Sequence, residues 1–206
     1  MKFSELKDGV ATVVIVGTWN PGIFTPDFVK ENIITEESFQ LYYPKLPMMS
    51  LMYLVPGKFR FQLNGNRLEF CLLNNADNAS KELLQIIRSI LRCLVYTPVN
   101  SVGINYLFET EEAGDQLFNI GHTSQLKQSV NGELVGIELA RSFKFDEKCQ
   151  LNFKVSQAAT HTRFDFNYSY QENNCQSILN LFEDDDTIND YRKRSIDILQ
   201  SVYNNE

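Results

Sequence analysis

The chain has 206 residues, with 43% hydrophobic and 12% aromatic residues, enough to bury a sizeable core and to exclude a disordered or staple-dependent protein. Its net charge is −7, and the excess acid lies in the second half: residues 1–103 hold ten Lys/Arg against nine Asp/Glu, whereas 104–206 hold nine against seventeen. Phosphate neutralisation by basic residues dominates nucleic-acid affinity, so this balance disfavours a DNA or RNA partner.

Taken in chain order, Val10 to Gly17 is almost continuously apolar and β-branched, the pattern of a strand covered on both faces. It runs into Thr18-Trp19-Asn20-Pro21-Gly22, where Asn-Pro and Pro-Gly both signal a turn. Thr25 as cap and Pro26 at the first helical position open a short helix through Phe28, Val29 and Asn32. Pro44 and Pro47 break regular structure before a strand over Leu51 to Val55.

A hairpin follows, with Phe59, Phe61, Leu63, Leu68, Phe70 and Leu72 on one face and Arg60, Gln62, Arg67 and Glu69 on the other. If Asn64-Gly65 forms the two-residue turn, Phe61 faces Leu68 and Phe59 faces Phe70. A helix is expected from about Ser80 to Thr97, with a buried stripe of Leu83, Leu84, Ile87, Ile90, Leu91, Leu94 and Val95. Val102 to Phe108 alternates as a strand, and 109–131 is an acidic loop.

The second half repeats the theme. Leu134 to Phe145 and Cys149 to Ser156 form a second aromatic hairpin, interrupted at Arg141, and Thr162 to Gln171 adds a strand with Phe164, Phe166, Tyr168 and Tyr170 on one side. An apolar piece at Ile178 to Phe182 and the acids Glu183 to Asp186 lead into a last helix through about Tyr203, striped by Ile188, Tyr191, Leu199 and Val202. The expected fold is α+β: a single domain over 1–206 of mostly antiparallel strands, built from two meander-plus-helix halves (1–108 and 132–206) with helices on the apolar sheet face. General likeness among amphipathic hairpins explains the resemblance of the halves better than duplication does, because the second half has an extra strand before its helix.

The four cysteines, Cys71, Cys93, Cys149 and Cys175, form no C-x-x-C pair and suit buried reduced thiols. With no apolar run long enough to cross a membrane and no signal-like leader in the chain as given, a cytoplasmic setting is expected.

Chemistry-bearing residues are sparse. The two histidines, His122 and His161, lack metal-ligand spacing, so no metal is expected. Carboxylates crowd at Glu109, Glu111, Glu112 and Asp115 and again at Glu183 to Asp186, but neither run follows a calcium-loop pattern. Nucleotide-binding glycine motifs, G-x-S-x-G and H-E-x-x-H are absent, which argues against the common enzyme classes and against a bound cofactor.

The leading expectation is a non-catalytic interaction subunit or adaptor whose partner is another protein or a second copy of itself. Trp19, Asn20 and Phe24 are its candidate contact residues, since aromatics on a rigid turn make good binding anchors. The alternative is a small-ligand-binding protein or enzyme with a cleft between the halves, using His161 and Asp165 with Arg163.

Overall fold

The computed structural model describes residues 4–5, 11–34, 39–42, 52–111, 137–157 and 161–203. The strands are β1 (Ser4–Glu5), β2 (Ala11–Gly17), β3 (Gln40–Tyr42), β4 (Met52–Val55), β5 (Phe59–Asn64), β6 (Arg67–Leu72), β7 (Val99–Thr110), β8 (Ile137–Lys144), β9 (Cys149–Gln157) and β10 (Thr162–Gln171). The helices are α1 (Pro26–Asn32), α2 (Asp77–Cys93), α3 (Cys175–Leu181) and α4 (Thr187–Tyr203). All ten strands form one antiparallel sheet in the order β3-β4-β5-β6-β2-β7-β10-β9-β8, with β1 paired to the end of β7.

The expected α+β architecture with helices packed on the apolar sheet face is what the chain adopts. One row of cross-strand partners shows how the apolar alternation becomes a core. Leu41, Tyr53, Phe61, Phe70, Val13, Ile104, Tyr168, Leu151 and Phe143 sit side by side across nine strands. Its middle seven members are buried under the helices. Each such burial is worth about 1.5–3 kcal/mol, so the row and its neighbours supply most of the driving force.

Both halves share a core order of elements, to which α1 and β3 are added between lead strand and meander in the first. A lead strand (β2 or β7) is followed by a three-strand meander (β4-β5-β6 or β8-β9-β10) whose last strand returns to pair with the lead strand, and then by helix. The lead strands pair with each other at the centre of the sheet. The strand at 99–110 thus stands to β8-β9-β10 as β2 stands to β4-β5-β6, and the strand at 162–171, read as extra, has its counterpart in β6.

Several local expectations shift. The first hairpin pairs Phe61 with Phe70, Phe59 with Leu72 and Asn64 with Arg67, so its loop is Gly65-Asn66 and Gly65 takes φ +60°. Either register sets apolar on apolar, so alternation alone could not choose; a positive φ at the first loop position, which glycine adopts without strain, accompanies the observed one. Helix α2 starts at Asp77 and stops at Cys93, leaving Val95 exposed beyond its end. Val202 is exposed, and the buried stripe of α4 runs through Ile188, Ser195 and Leu199. All four cysteines are free thiols, but only Cys149 and Cys175 are buried; Cys71 is half-buried and Cys93 exposed.

The piece at 178–182 forms the end of α3, with Phe182 as its C-cap, and the Asn174 side chain caps the helix start by accepting from the Ser177 amide. Thr25 caps α1 as expected, accepting from the Phe28 amide at 3.2 Å. No helix among the described residues is long and apolar enough to cross a membrane.

Polar contacts anchor the helical layer. Tyr106 donates to the Ile188 carbonyl, Tyr170 and Tyr191 share a hydroxyl contact, and Tyr168 meets Ser195 Oγ at 3.0 Å. Arg88 on α2 donates to the carbonyls of Phe182 and Glu183 and to Asp185 Oδ1, tying α2 to the α3–α4 joint. Asn189 Nδ2 reaches Ser80 Oγ at 3.1 Å. Tyr106→Phe removes this second donor from the Ile188 carbonyl and leaves it its helical partner; urea unfolding should show a loss of about 0.5–1.5 kcal/mol.

Candidate interaction surface

No helix among the described residues covers the other face of the sheet, and its chemistry follows from strand phase. Residues of even number on β2 and odd number on β7 point there: Thr12, Val14 and Val16, then Ser101, Gly103, Asn105, Leu107 and Glu109, all half-buried. The continuous apolar run of β2 had predicted cover on both faces. Instead Val14 and Val16 lie on the helix-free side, partly shielded by neighbouring strands at the middle of the sheet.

Beside them runs a row of hydrogen-bonded side chains crossing strand to strand. Asn105 Nδ2 donates to the Thr12 carbonyl at 3.0 Å, Asn167 Nδ2 to Asn105 Oδ1, and Asn152 Nδ2 to Asn167 Oδ1 at 2.9 Å. Ser142 Oγ and Gln150 Nε2 both donate to Asn152 Oδ1, at 2.7 and 2.8 Å. Ser142, Asn152, Asn167, Asn105 and Thr12 are successive cross-strand partners, so register alone brings them together. Gly103 makes room for the row, because a Cβ there would lie 2.9 Å from Asn167 Nδ2.

Two ion pairs and an amide–carboxylate contact lie on this face. Arg163 reaches Glu109 Oε1 through Nη2 at 2.7 Å and Nε at 3.0 Å; Lys154 meets Glu138 at 2.8 Å; and Gln62 donates to Glu69 at 3.2 Å. Asp165 faces Lys154 across the β9–β10 pair. Burial pushes its carboxyl above the ordinary value of 3.8, against the opposing pull of Lys154 and Arg163.

The sequence-predicted candidates fall as follows. His161, Arg163 and Asp165 share one phase of β10 and its approach, on the helix-free face, and Arg163 is committed to Glu109. Among the described residues β2 and β7 join the halves edge to edge in one sheet, so the trio lies on a continuous sheet face. Two cavities lie beside the helices: one of about 300 Å³ reaches Gln85, Ser89 and Arg92, and another of about 370 Å³ reaches Asp190, Tyr191 and Arg194. Neither includes His161, Arg163 or Asp165.

Trp19 and Phe24 are buried, packed edge to face at 6.5 Å, and Trp19 Nε1 donates to the Ile15 carbonyl at 3.1 Å. Their rings plug one end of the core and are not the contact anchors expected of them. Only Asn20 of the three is exposed, and its side chain accepts from the Gly22 amide.

Among the described residues no group of three or more His, Cys, Asp or Glu is placed to hold a metal ion. The run Glu183 to Asp186 serves the fold instead: Asp185 holds Arg88, Asp186 holds Lys81, and Asp184 Oδ1 accepts from the Asp186 amide. His122, Glu112 and Asp115 lie outside the described residues.

The polar face of the second half, including Asn152, Lys154, Arg163 and Asn167, follows from strand alternation alone. What alternation missed was Asn105 joining that row from the central strand. Three asparagines of matching phase, in strands where asparagine is disfavoured, were the available signal.

No protein-family model matches the chain, and no curated protein matches it. Among solved structures it is similar to the rolling circle replication initiator protein from Geobacillus stearothermophilus, at 8% identity over 89% of this chain and 80% of that chain, with a TM-score of 0.32. So loose a likeness carries no argument about fold or function.

Asp165 supplies a pH test. Its raised native pKa means that the folded state holds the proton more tightly than the unfolded chain, so ionisation subtracts stability as pH rises from the unfolded toward the native value. Asp165→Asn should therefore raise the Tm at pH 7. Calorimetry should show that gain disappearing below pH 3.8, where Asp165 is protonated in both states.

Proposed function

We propose that this chain is a non-catalytic interaction subunit or adaptor, acting in the cytoplasm, that binds another protein through the helix-free face of its sheet. The observation that supports this most is the composition of that face: Val14, Val16 and Leu107 lie half-buried at its centre, flanked by a row of amides already oriented by one another. An apolar centre with a pre-ordered polar flank costs little side-chain entropy to dock against.

The matched charges point the same way. Ion pairs at Arg163–Glu109 and Lys154–Glu138 leave the face with little net field, which suits a protein surface better than a polyanion. The candidate trio at 161–165 lies on this same face and belongs to its polar texture in this reading.

Chemical cross-linking of the native protein in extract, read by mass spectrometry, tests the assignment. Links to a second protein should concentrate on Lys144 and Lys154, which are on strands at this face, and spare Lys81 and Lys193 on the helices. Val14→Arg should remove them while leaving the far-ultraviolet circular dichroism unchanged. Links confined to the helical side would overturn the reading.

A further inference from the structure

The sheet path ends at β8, which has no neighbour on its outer side among the described residues. The Phe145 amide donates to the Cys149 carbonyl at 2.8 Å, and antiparallel pairs alternate between hydrogen-bonded and non-bonded. Counting back along the unbroken β8–β9 register, Arg141 and Phe143 turn their backbone groups toward β9. Glu138, Ala140, Ser142 and Lys144 turn theirs outward.

Natural edge strands are usually short, kinked or interrupted by proline, because unpaired backbone groups template further pairing. β8 is eight residues long, carries no proline and pairs with β9 without a bulge. On its helix-side face Phe143 ends the nine-strand apolar row and is 48% exposed, while Leu151 beside it is buried. The edge thus leaves apolar surface and hydrogen-bonding capacity unused at the same place.

The strand sequence specifies what fits there. Glu138-Leu139-Ala140-Arg141-Ser142-Phe143-Lys144 is complementary to itself when run antiparallel about Arg141. Glu138, whose carboxylate Lys154 of its own chain also contacts at 2.8 Å, then stands between that lysine and the second copy's Lys144 on the helix-free face, Leu139 meets Phe143 on the helix side, and Ala140 meets Ser142 with outward backbone groups facing. All of these are directly opposed positions, where cross-strand pairs interact most strongly.

We infer that β8 pairs antiparallel with β8 of a second copy of this chain, in the register centred on Arg141, joining the two sheets into one across a two-fold axis. The interface is isologous, as closed dimers require. It covers Phe143 with the second copy's Leu139 and satisfies the outward amides and carbonyls. Its one adverse pair is Arg141 against its own copy; both side chains are exposed, so water screens the repulsion. This contact uses the sheet edge; its Glu138–Lys144 pairs lie at the rim of the helix-free face, several strands away from Val14, Val16 and Leu107, where another protein is assigned above.

Sedimentation equilibrium of the full chain should show a dimer of 23.8 kDa subunits. Glu138→Lys and Lys144→Glu should each weaken it roughly three- to thirtyfold, since each change breaks two symmetric pairs, and the double charge swap should restore it. Arg141→Ser should tighten the dimer by removing the like-charge contact. Ala140→Pro removes an outward amide that β9 does not use, and should give a monomer whose circular dichroism matches the parent. A parent chain that stays monomeric up to roughly 0.2 mM would overturn the pairing, as would a double swap no better than the single changes. Either result leaves the cross-linking test of the sheet face standing.

Discussion

The pairing of β2 with β7 is the contact on which the rest of the molecule depends. Each of these lead strands also receives the last strand of its own meander, so this central pair joins the five strands β2–β6 to the four strands β7–β10 in one sheet, with β1 adding a short contact to β7. The apolar row from Leu41 to Phe143 crosses that junction at Val13 and Ile104, both fully buried. Disrupting the junction would expose the row on both sides at once, and so would cost more than any single truncation within one unit.

Joining the units edge to edge places both sets of helices on the same face. α2 packs against α1, α3 and α4, and its Arg88 is held by the carbonyls that end α3. Buried hydroxyls of Tyr106, Tyr168 and Tyr170 meet α4, so the helical layer is located by directional polar contacts as well as by greasy packing. One-sided cover is also what leaves the opposite face to other uses. A side chain there is only half shielded, by its cross-strand neighbours, so polar residues persist at the middle of the sheet and hydrogen-bond along the register.

That face and the β8 edge differ in what they offer. The face holds matched ion pairs and a satisfied amide row around a few half-buried aliphatics, a texture suited to a complementary folded surface. The edge offers unused backbone groups and an exposed phenyl ring, which call for another strand. If both are occupied, the paired sheets of two copies present one extended platform, with the helices of both on the far side.

Alternation and helical periodicity were enough to identify eight of the ten strands and the principal helices, because burial on one side of an element leaves a period of two or of about 3.6 in the chain; β1 and β3, of two and three residues, are too short to show it, and β3 lies in a stretch read as irregular. The core aromatics at 59, 61, 70, 164 and 166 were legible for that reason. Hairpin register was not legible, because pairings two residues apart oppose equally apolar side chains. Nor was the outcome at Trp19, since a turn rich in Gly and Pro around a Trp is compatible with a core plug or an exposed anchor, and only packing against Ile15 and Phe24 decides between them. The chain by itself determined that there would be amphipathic strands and striped helices. Tertiary structure alone decided that β2 would meet β7, that one sheet face would carry no helix among the described residues, and that Asn105, Asn152 and Asn167 would touch, because each depends on contacts between segments whose separation along the chain leaves no periodic trace.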